Sequence, residues 1–278
     1  MKFSRPSSLR SITQRLAAVC RNNNHKPRTL RTRAEKSLAM SWMCSSDTNA
    51  GLIENMYKNG LIEDIRIKDA FLKVDRAYYA PSFPYEDSPQ GIGHSATISA
   101  PHMHAYACKH LLPYLHPAVK PSSPIRVLDI GSGSGYLTHV LAELVEEHND
   151  AIVVGLEHIR ALKELGEANM AKGENGKRLL ERGKVRFRVG DGRKGWTGDG
   201  DEGWDVIHVG AAAVSMHQEL VDQLRSPGCM FIPVDDSPGS MNQSVWKVEK
   251  DKDGKLTKES LFGVRYVPLT DAPASERR

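Results

Sequence analysis

The feature that most constrains this chain is the run Val127-Leu128-Asp129-Ile130-Gly131-Ser132-Gly133-Ser134-Gly135-Tyr136. An apolar segment leads into it and an amphipathic one, starting at Tyr136, leads out. Alternating glycines at such a junction let the backbone approach a ligand that side chains would exclude. The run therefore demands a strand that turns into a helix, the repeating unit of an α/β fold built on a parallel sheet.

The flanking sequence supplies the remaining units. After Pro121-Ser122-Ser123-Pro124, buried strands are expected over residues 125–130, 151–156, 185–189, 204–209 and 229–234. Helices are expected over 136–147, in the stretch reaching Leu180, and over 216–224. Residues 244–249 and 261–267 read as a closing strand pair around Asp253-Gly254, which gives the sheet one antiparallel member. Upstream, Leu52, Ile53, Met56 and Tyr57 share a helical face that closes at Asn59-Gly60, and a second helix is expected over 64–74. Residues 78–99, punctuated by Pro81, Pro84, Pro89, Gly91 and Gly93, read as a long irregular loop, and loops of that length in compact domains tend to be functional. Ser99-Ala100-Pro101 reads as an N-cap with proline in the first turn of a helix reaching about Leu112.

Charge divides the chain in two. The formal net charge is +4, yet residues 1–40 hold ten Lys/Arg and one acid, so the remainder carries a net of −5. A mildly acidic body has no large electrostatic pull towards nucleic acid. Residues 1–46 form a basic leader with the composition of a mitochondrial transit peptide, or of upstream sequence ahead of a start at Met40 or Met43. In either case residues 47–278 are the expected folded domain. Cys20, Cys44, Cys108 and Cys229 are scattered, which fits a reducing compartment, and no apolar run reaches the roughly 18 residues of a membrane span. The expected location is the cytoplasm, with the mitochondrion as the alternative if the leader is a transit peptide. No metal site is expected, because His102 and His104 lie two apart on a helix and face different ways.

The glycine run also selects among cofactors. A dinucleotide fingerprint would place its third glycine at position 136, which is Tyr136 here. Asp129, just ahead of the first glycines, would repel a pyrophosphate but attract the ammonium of a methionyl group. That favours S-adenosylmethionine, with S-adenosylhomocysteine as product. Glu157 ends the second strand about 20 residues on, where a carboxylate can take both hydroxyls of a ribose. Asp191-Gly192 ends the third strand, on the adenine side. Either acid alone is a helix cap or turn residue just as readily; three acids at successive strand ends make a site.

Longer strings carry a specific resemblance. Asp87-Ser88-Pro89-Gln90, Ala96-Thr97-Ile98-Ser99-Ala100-Pro101-His102-Met103-His104, the glycine run, Val189-Gly190-Asp191-Gly192-Arg193, His208-Val209-Gly210-Ala211-Ala212-Ala213 and Tyr266-Val267-Pro268-Leu269-Thr270-Asp271 resemble the protein-L-isoaspartate O-methyltransferase family, in order from about Asn49 to Asp271. The resemblance implies a seven-stranded Rossmann-like methyltransferase sheet with added N-terminal helices. It implies cofactor contacts at Ala96, Thr97, Ile98, Ser99, His104, Asp129, Gly131, Ser132, Gly133, Glu157, Asp191, Gly192 and Thr270. It places the active-site serine at Ser99 and the substrate groove at Ile98, Ser99, Val209, Gly210, Ala211 and Gln243. The leader and the long acidic segment 235–241 depart from the family pattern. The implied activity is repair: methylation of the free α-carboxylate of L-isoaspartyl, and potentially D-aspartyl, residues in damaged proteins by a monomer. Such a carboxylate, with a pKa near about 3.5, is ionised at neutral pH and needs no general base. A nucleic-acid methyltransferase, a small-molecule methyltransferase and a non-enzymatic adaptor are the rival readings.

Overall fold

A seven-stranded sheet carries the glycine run at its centre. The structure is a computed structural model describing residues 44–115, 124–198, 202–238, 240 and 242–271. The sheet strands are β3 (Arg126–Ile130), β4 (Ile152–Glu157), β5 (Val185–Val189), β6 (Trp204–Val209), β7 (Leu224–Asp235), β8 (Gln243–Lys250) and β9 (Leu256–Val264). Their spatial order is β5-β4-β3-β6-β7-β8-β9. β3, β4, β5, β6 and β7 pair in parallel, and β8 runs against both of its neighbours, giving the single antiparallel member. The winding reverses between β3 and β6, the switch point where open α/β sheets bind ligands.

The helices are α1 (Asn49–Lys58), α2 (Ile65–Lys73), α3 (Pro101–Leu111), α4 (Tyr136–Leu144), α5 (Arg160–Met170), α6 (Glu174–Glu181) and α7 (Gln218–Asp222). Local chemistry sets several ends. Thr48 caps α1 by accepting from the Gly51 amide, and Gly60 with φ +70° closes the turn beyond Asn59. Asp64 caps α2 through the Arg66 amide. The sheet is buried on both faces: Val127, Val153, Val206 and Phe231 enter one core, while Leu128, Val154, Ile207 and Ile232 enter the other.

Five expectations are corrected. The loop over 78–99 contains a hairpin, β1 (Gln90–Gly93) and β2 (Ala96–Ile98), whose turn residues His94 and Ser95 have φ of 51° and 57°. The usual Asn-Gly signal of that turn is absent, so sequence patterning passes over it. Ser99 is not the cap of α3; Ala100 holds that position without a side-chain bond, and the Asp87 carboxylate takes the His102 amide instead at 3.0 Å. β7 begins at Leu224 and runs through Pro227, which a register shift against β6 accommodates. β9 ends at Val264, since residues 267–269 leave the sheet to meet Ala212. Finally, the folded body starts before Asp47. Cys44 is fully buried, the Ser46 amide donates to the Tyr85 carbonyl, and the Asp87 amide donates to Ser45 Oγ at 3.0 Å. The rest of the expected leader, residues 1–43, lies outside the described residues.

Candidate active site

The turn after β3 is built from close backbone packing. Gly135 has φ +84°, and a Cβ there would lie 2.8 Å from the Gly166 carbonyl oxygen of α5. Gly166 in turn has no side chain to keep α5 away, so helix and turn lock together. The turn's amides are used as well: Gly131 and Ser132 donate to the Leu156 carbonyl, and Gly133 donates to Glu157 Oε2 at 3.0 Å.

Two adjoining clefts open above this turn at the switch point. The first is lined by Thr97, Ile98, Ser99, His104, Asp129, Gly131, Ser132, Gly133, Ser134, Tyr136, Leu137, His208 and Gly210. The second is lined by Ala96, Thr97, Ile130, Gly131, Gly133, Leu156, Glu157, His158, Leu162, Gly192, Gly210, Ala211, Val267, Pro268 and Leu269. They share Thr97, Gly131, Gly133 and Gly210, so one elongated ligand can occupy both.

The first cleft is polar. Asp129 is almost wholly buried, with Oδ2 accepting from Thr138 Oγ1 at 2.6 Å and Oδ1 meeting His208 Nδ1 at 2.7 Å. Since a carboxylate only accepts, Nδ1 of His208 carries the hydrogen. His208 is the register partner of Asp129 on β6. Sequence reasoning passed over this pair, although each residue stands two before a strand-ending glycine, in Asp129-Ile130-Gly131 and His208-Val209-Gly210.

Ser99 borders the cleft where β2 meets α3. Its hydroxyl is hydrogen bonded to the phenol of the half-buried Tyr266, whose pKa desolvation pushes up to about 12. Its carbonyl accepts from Arg76 Nη2 at 2.8 Å. Neither Arg76 nor Tyr266 stood out as a site residue in the sequence. Gln243 lines neither cleft. Its Nε2 donates to Asp235 at 3.2 Å and its Oε1 accepts the Tyr266 amide at 2.6 Å, so it braces the residue that touches Ser99.

His104 packs against Tyr136 with ring centroids 5.3 Å apart, and its Nδ1 has no partner. Burial first, then the charge of Arg76, holds its pKa well below the ordinary 6.5. The folded chain therefore prefers a neutral ring, whereas the unfolded chain binds the proton below 6.5. This contribution to stability is complete above that pH and is lost as pH falls through it, by up to about 1.4 kcal/mol per unit. Urea unfolding at pH 7.5, 6.5 and 5.5 should show a steeper decline for the parent chain than for His104→Gln; parallel declines would reject the assignment.

The second cleft has apolar walls, with Glu157 as its buried acid. Glu157 Oε1 accepts the His158 amide at 2.8 Å and the Ile159 amide at 3.2 Å, so the carboxylate is fixed in direction while keeping acceptor capacity. Gly192 lines this cleft, but the Asp191 side chain does not. Its carboxylate is engaged by the Arg193 guanidinium at 2.8 and 2.9 Å, which holds its pKa below the usual carboxylate range. Thr270 is exposed just beyond the lining residues Val267, Pro268 and Leu269. Val209 is fully buried in a core, and only its neighbours Gly210 and Ala211 reach the cleft surface. Strand alternation explains this, because Val209 sits on β6 with its side chain committed to the sheet face.

These surfaces suit a methionyl nucleoside. A buried carboxylate faces one end, a second acid and flat apolar walls face the other, and the buried Ser132 Oγ and His104 Nδ1 are left without partners between them.

Comparison with known proteins agrees. The family model described as Protein-L-isoaspartate(D-aspartate) O-methyltransferase (PCMT) matches residues 47–274. A Caenorhabditis elegans protein-L-isoaspartate O-methyltransferase is 42% identical over 231 residues, covering 83% of this chain and 96% of that one. A Triticum aestivum protein of the same name is 38% identical over 85% of this chain and 98% of its own. Among solved structures, a Plasmodium falciparum protein assigned as a protein-L-isoaspartate O-methyltransferase, in complex with S-adenosyl-L-homocysteine, superposes with a TM-score of 0.71 at 31% identity. That match covers 81% of this chain and 99% of the other.

Proposed function

The chain belongs to the protein-L-isoaspartate(D-aspartate) O-methyltransferase family, and from that premise we propose which of its residues perform each part of the reaction. The protein is a carboxyl methyltransferase that uses S-adenosylmethionine to methylate isoaspartyl residues in damaged proteins. The observation that carries the residue assignment is the pair of adjoining clefts at the β3–β6 switch point, bordered by Ser99 on one side and Glu157 on the other.

S-adenosylmethionine, when bound, supplies an electrophilic methyl group on a sulfonium. Asp129 presents a buried charge to its ammonium, Glu157 accepts from its ribose hydroxyls, and the apolar walls from Ile130, Leu156, Leu162 and Leu269 hold its base. On the substrate side Ser99 is the orienting group. Ser99 Oγ shares a hydrogen bond with the Tyr266 phenol, and on substrate binding its hydroxyl can turn to donate to an isoaspartyl carboxylate and fix its direction. No group needs to remove a proton, because the carboxylate is already ionised. The chain contributes alignment and exclusion of water, effects worth up to about 7–11 kcal/mol in well-aligned systems. Gly210 and Ala211, lacking bulk, leave room for a peptide backbone beside the serine.

Among the described residues no helix is long and apolar enough to cross a membrane, and Cys44, Cys108 and Cys229 are buried. The scattered cysteines of the sequence fit a reducing compartment, which supports action in the cytoplasm, or in the mitochondrion if the basic leader directs the chain there. The acidic balance beyond residue 40 supports protein rather than nucleic-acid substrates.

The test is methyl transfer from labelled S-adenosylmethionine to two synthetic peptides differing only in isoaspartate against aspartate. Base-labile label confined to the isoaspartyl peptide is the expected result. Equal labelling of both, or of neither despite measurable cofactor binding, would remove the repair reading.

A further inference from the structure

A charged group that the chemistry above does not use lies directly behind Ser99. Arg76 follows α2 in a short 3-10 helix, Arg76–Tyr78, and its side chain is wholly inaccessible to solvent. Nη2 donates to the Ser99 carbonyl at 2.8 Å, while Nε and Nη1 are buried without partners. Among the described residues no carboxylate lies within 4.0 Å of it. Burial pulls the guanidinium down to about 10, which leaves it charged at neutral pH.

Enclosing a cation without a paired carboxylate is costly, and a protein concerned only with stability does better with an apolar side chain of similar volume. What Arg76 does have around it belongs to the substrate end of the site. Its guanidinium carbon lies 5.1 Å from the ring centroid of Tyr136, a lining residue of the first cleft. Asp87 acts on it at longer range, with Oδ2 unpartnered and Oδ1 holding both the amide and the ring of His102 at the start of α3. His104, one turn along α3, feels the same positive charge.

We propose that Arg76 is a positioning residue for the carboxyl methylation assigned above, an inference that rests on that reading. By gripping the Ser99 carbonyl from behind, the guanidinium fixes the backbone at the join of β2 and α3. Ser99 Oγ is then held between Tyr266 and the cleft, aimed at the substrate carboxylate. The serine is braced at both ends, with Arg76 on its backbone and Tyr266 on its hydroxyl, and Arg76 acts only through it.

Lysine at this position keeps the charge but offers no planar fork to span the carbonyl and the Tyr136 face. Glutamine buries no charge at all and guards against a variant that fails to fold. For Arg76→Lys and Arg76→Gln, kcat on an isoaspartyl peptide should fall at least about 10-fold, while S-adenosylhomocysteine affinity stays within about threefold of the parent. A purely structural role would instead weaken cofactor binding and melting temperature together and leave kcat of the folded fraction unchanged. In a Ser99→Ala background the additional loss from either substitution should shrink below about threefold, because a residue acting through Ser99 has nothing left to position. Losses that multiply in the double variants, or a kcat within about threefold of the parent in both single variants, would overturn the proposal. If the parent chain itself leaves the isoaspartyl peptide unmethylated, it is the functional reading that fails and not the placement of Arg76.

Discussion

Asp129→Asn is expected to weaken S-adenosylhomocysteine binding by about 10- to 100-fold and to reduce methyl transfer at least in proportion. The loss corresponds to about 1.5–3 kcal/mol, the usual worth of a hydrogen bond to a charged group. The substitution keeps the side chain's shape but removes the only charge that the first cleft offers to an ammonium. It also forces a rearrangement. Asp129 accepts from both Thr138 and His208, whereas an asparagine has one accepting and one donating end. Either the threonine hydroxyl turns to accept or His208 moves its hydrogen to the other ring nitrogen, and both adjustments are small beside removal of the charge. Titration calorimetry with S-adenosylhomocysteine is the direct measurement. An affinity within about threefold of the parent would mean that Asp129 is a structural partner of His208 and not the ammonium's anchor.

Gly135→Ala should cost stability rather than chemistry. The residue has φ +84°, which charges a side chain about 1–2 kcal/mol, and the new methyl would meet the Gly166 carbonyl at 2.8 Å and Phe187 at 3.1 Å. Overpacking of that kind adds about 1–3 kcal/mol. A total of about 2–5 kcal/mol is a large fraction of the 5–15 kcal/mol typical of a native domain. Guanidinium unfolding of the parent and the variant reads it directly. A difference below about 1 kcal/mol would show that α5 backs away freely, so that the tight turn is not what fixes the helix against the sheet.

The contrast between these two residues shows what a sequence reveals. Gly135 and Asp129 are legible because their requirement is local: a backbone conformation in one case, a charge at a strand end in the other. The sheet is legible for the same reason. Residues 185–189 and 204–209 are short runs bounded by glycines, as strands of a buried sheet are, and they stand where expected. The hairpin of β1 and β2 was hidden because His94 and Ser95 adopt left-handed conformations without the residues that ordinarily announce them. Pro227 obscured the start of β7 because its tolerance depends on the register shift of β7 against β6.

Within the site, the residues missed are those whose meaning is set by a partner far along the chain. Arg76 matters through Ser99, Tyr266 through the same serine, and His208 through Asp129 across one strand interval. Each is unremarkable in its own neighbourhood. Val209 and Gln243, which do not line the clefts, present the opposite case. Val209 adjoins cleft residues in sequence, but strand alternation sends its side chain into the core, and hydrogen bonding commits Gln243 to Asp235 and Tyr266.

The bracing by Gln243 bears on how this chain can change over time. One end of its amide is occupied by the start of the acidic segment and the other by the backbone that carries Tyr266, so the segment and the serine are coupled through a single amide. A substitution at Asp235 is therefore felt at the Ser99 hydroxyl, and the acidic segment can tune the reaction without lining the cleft.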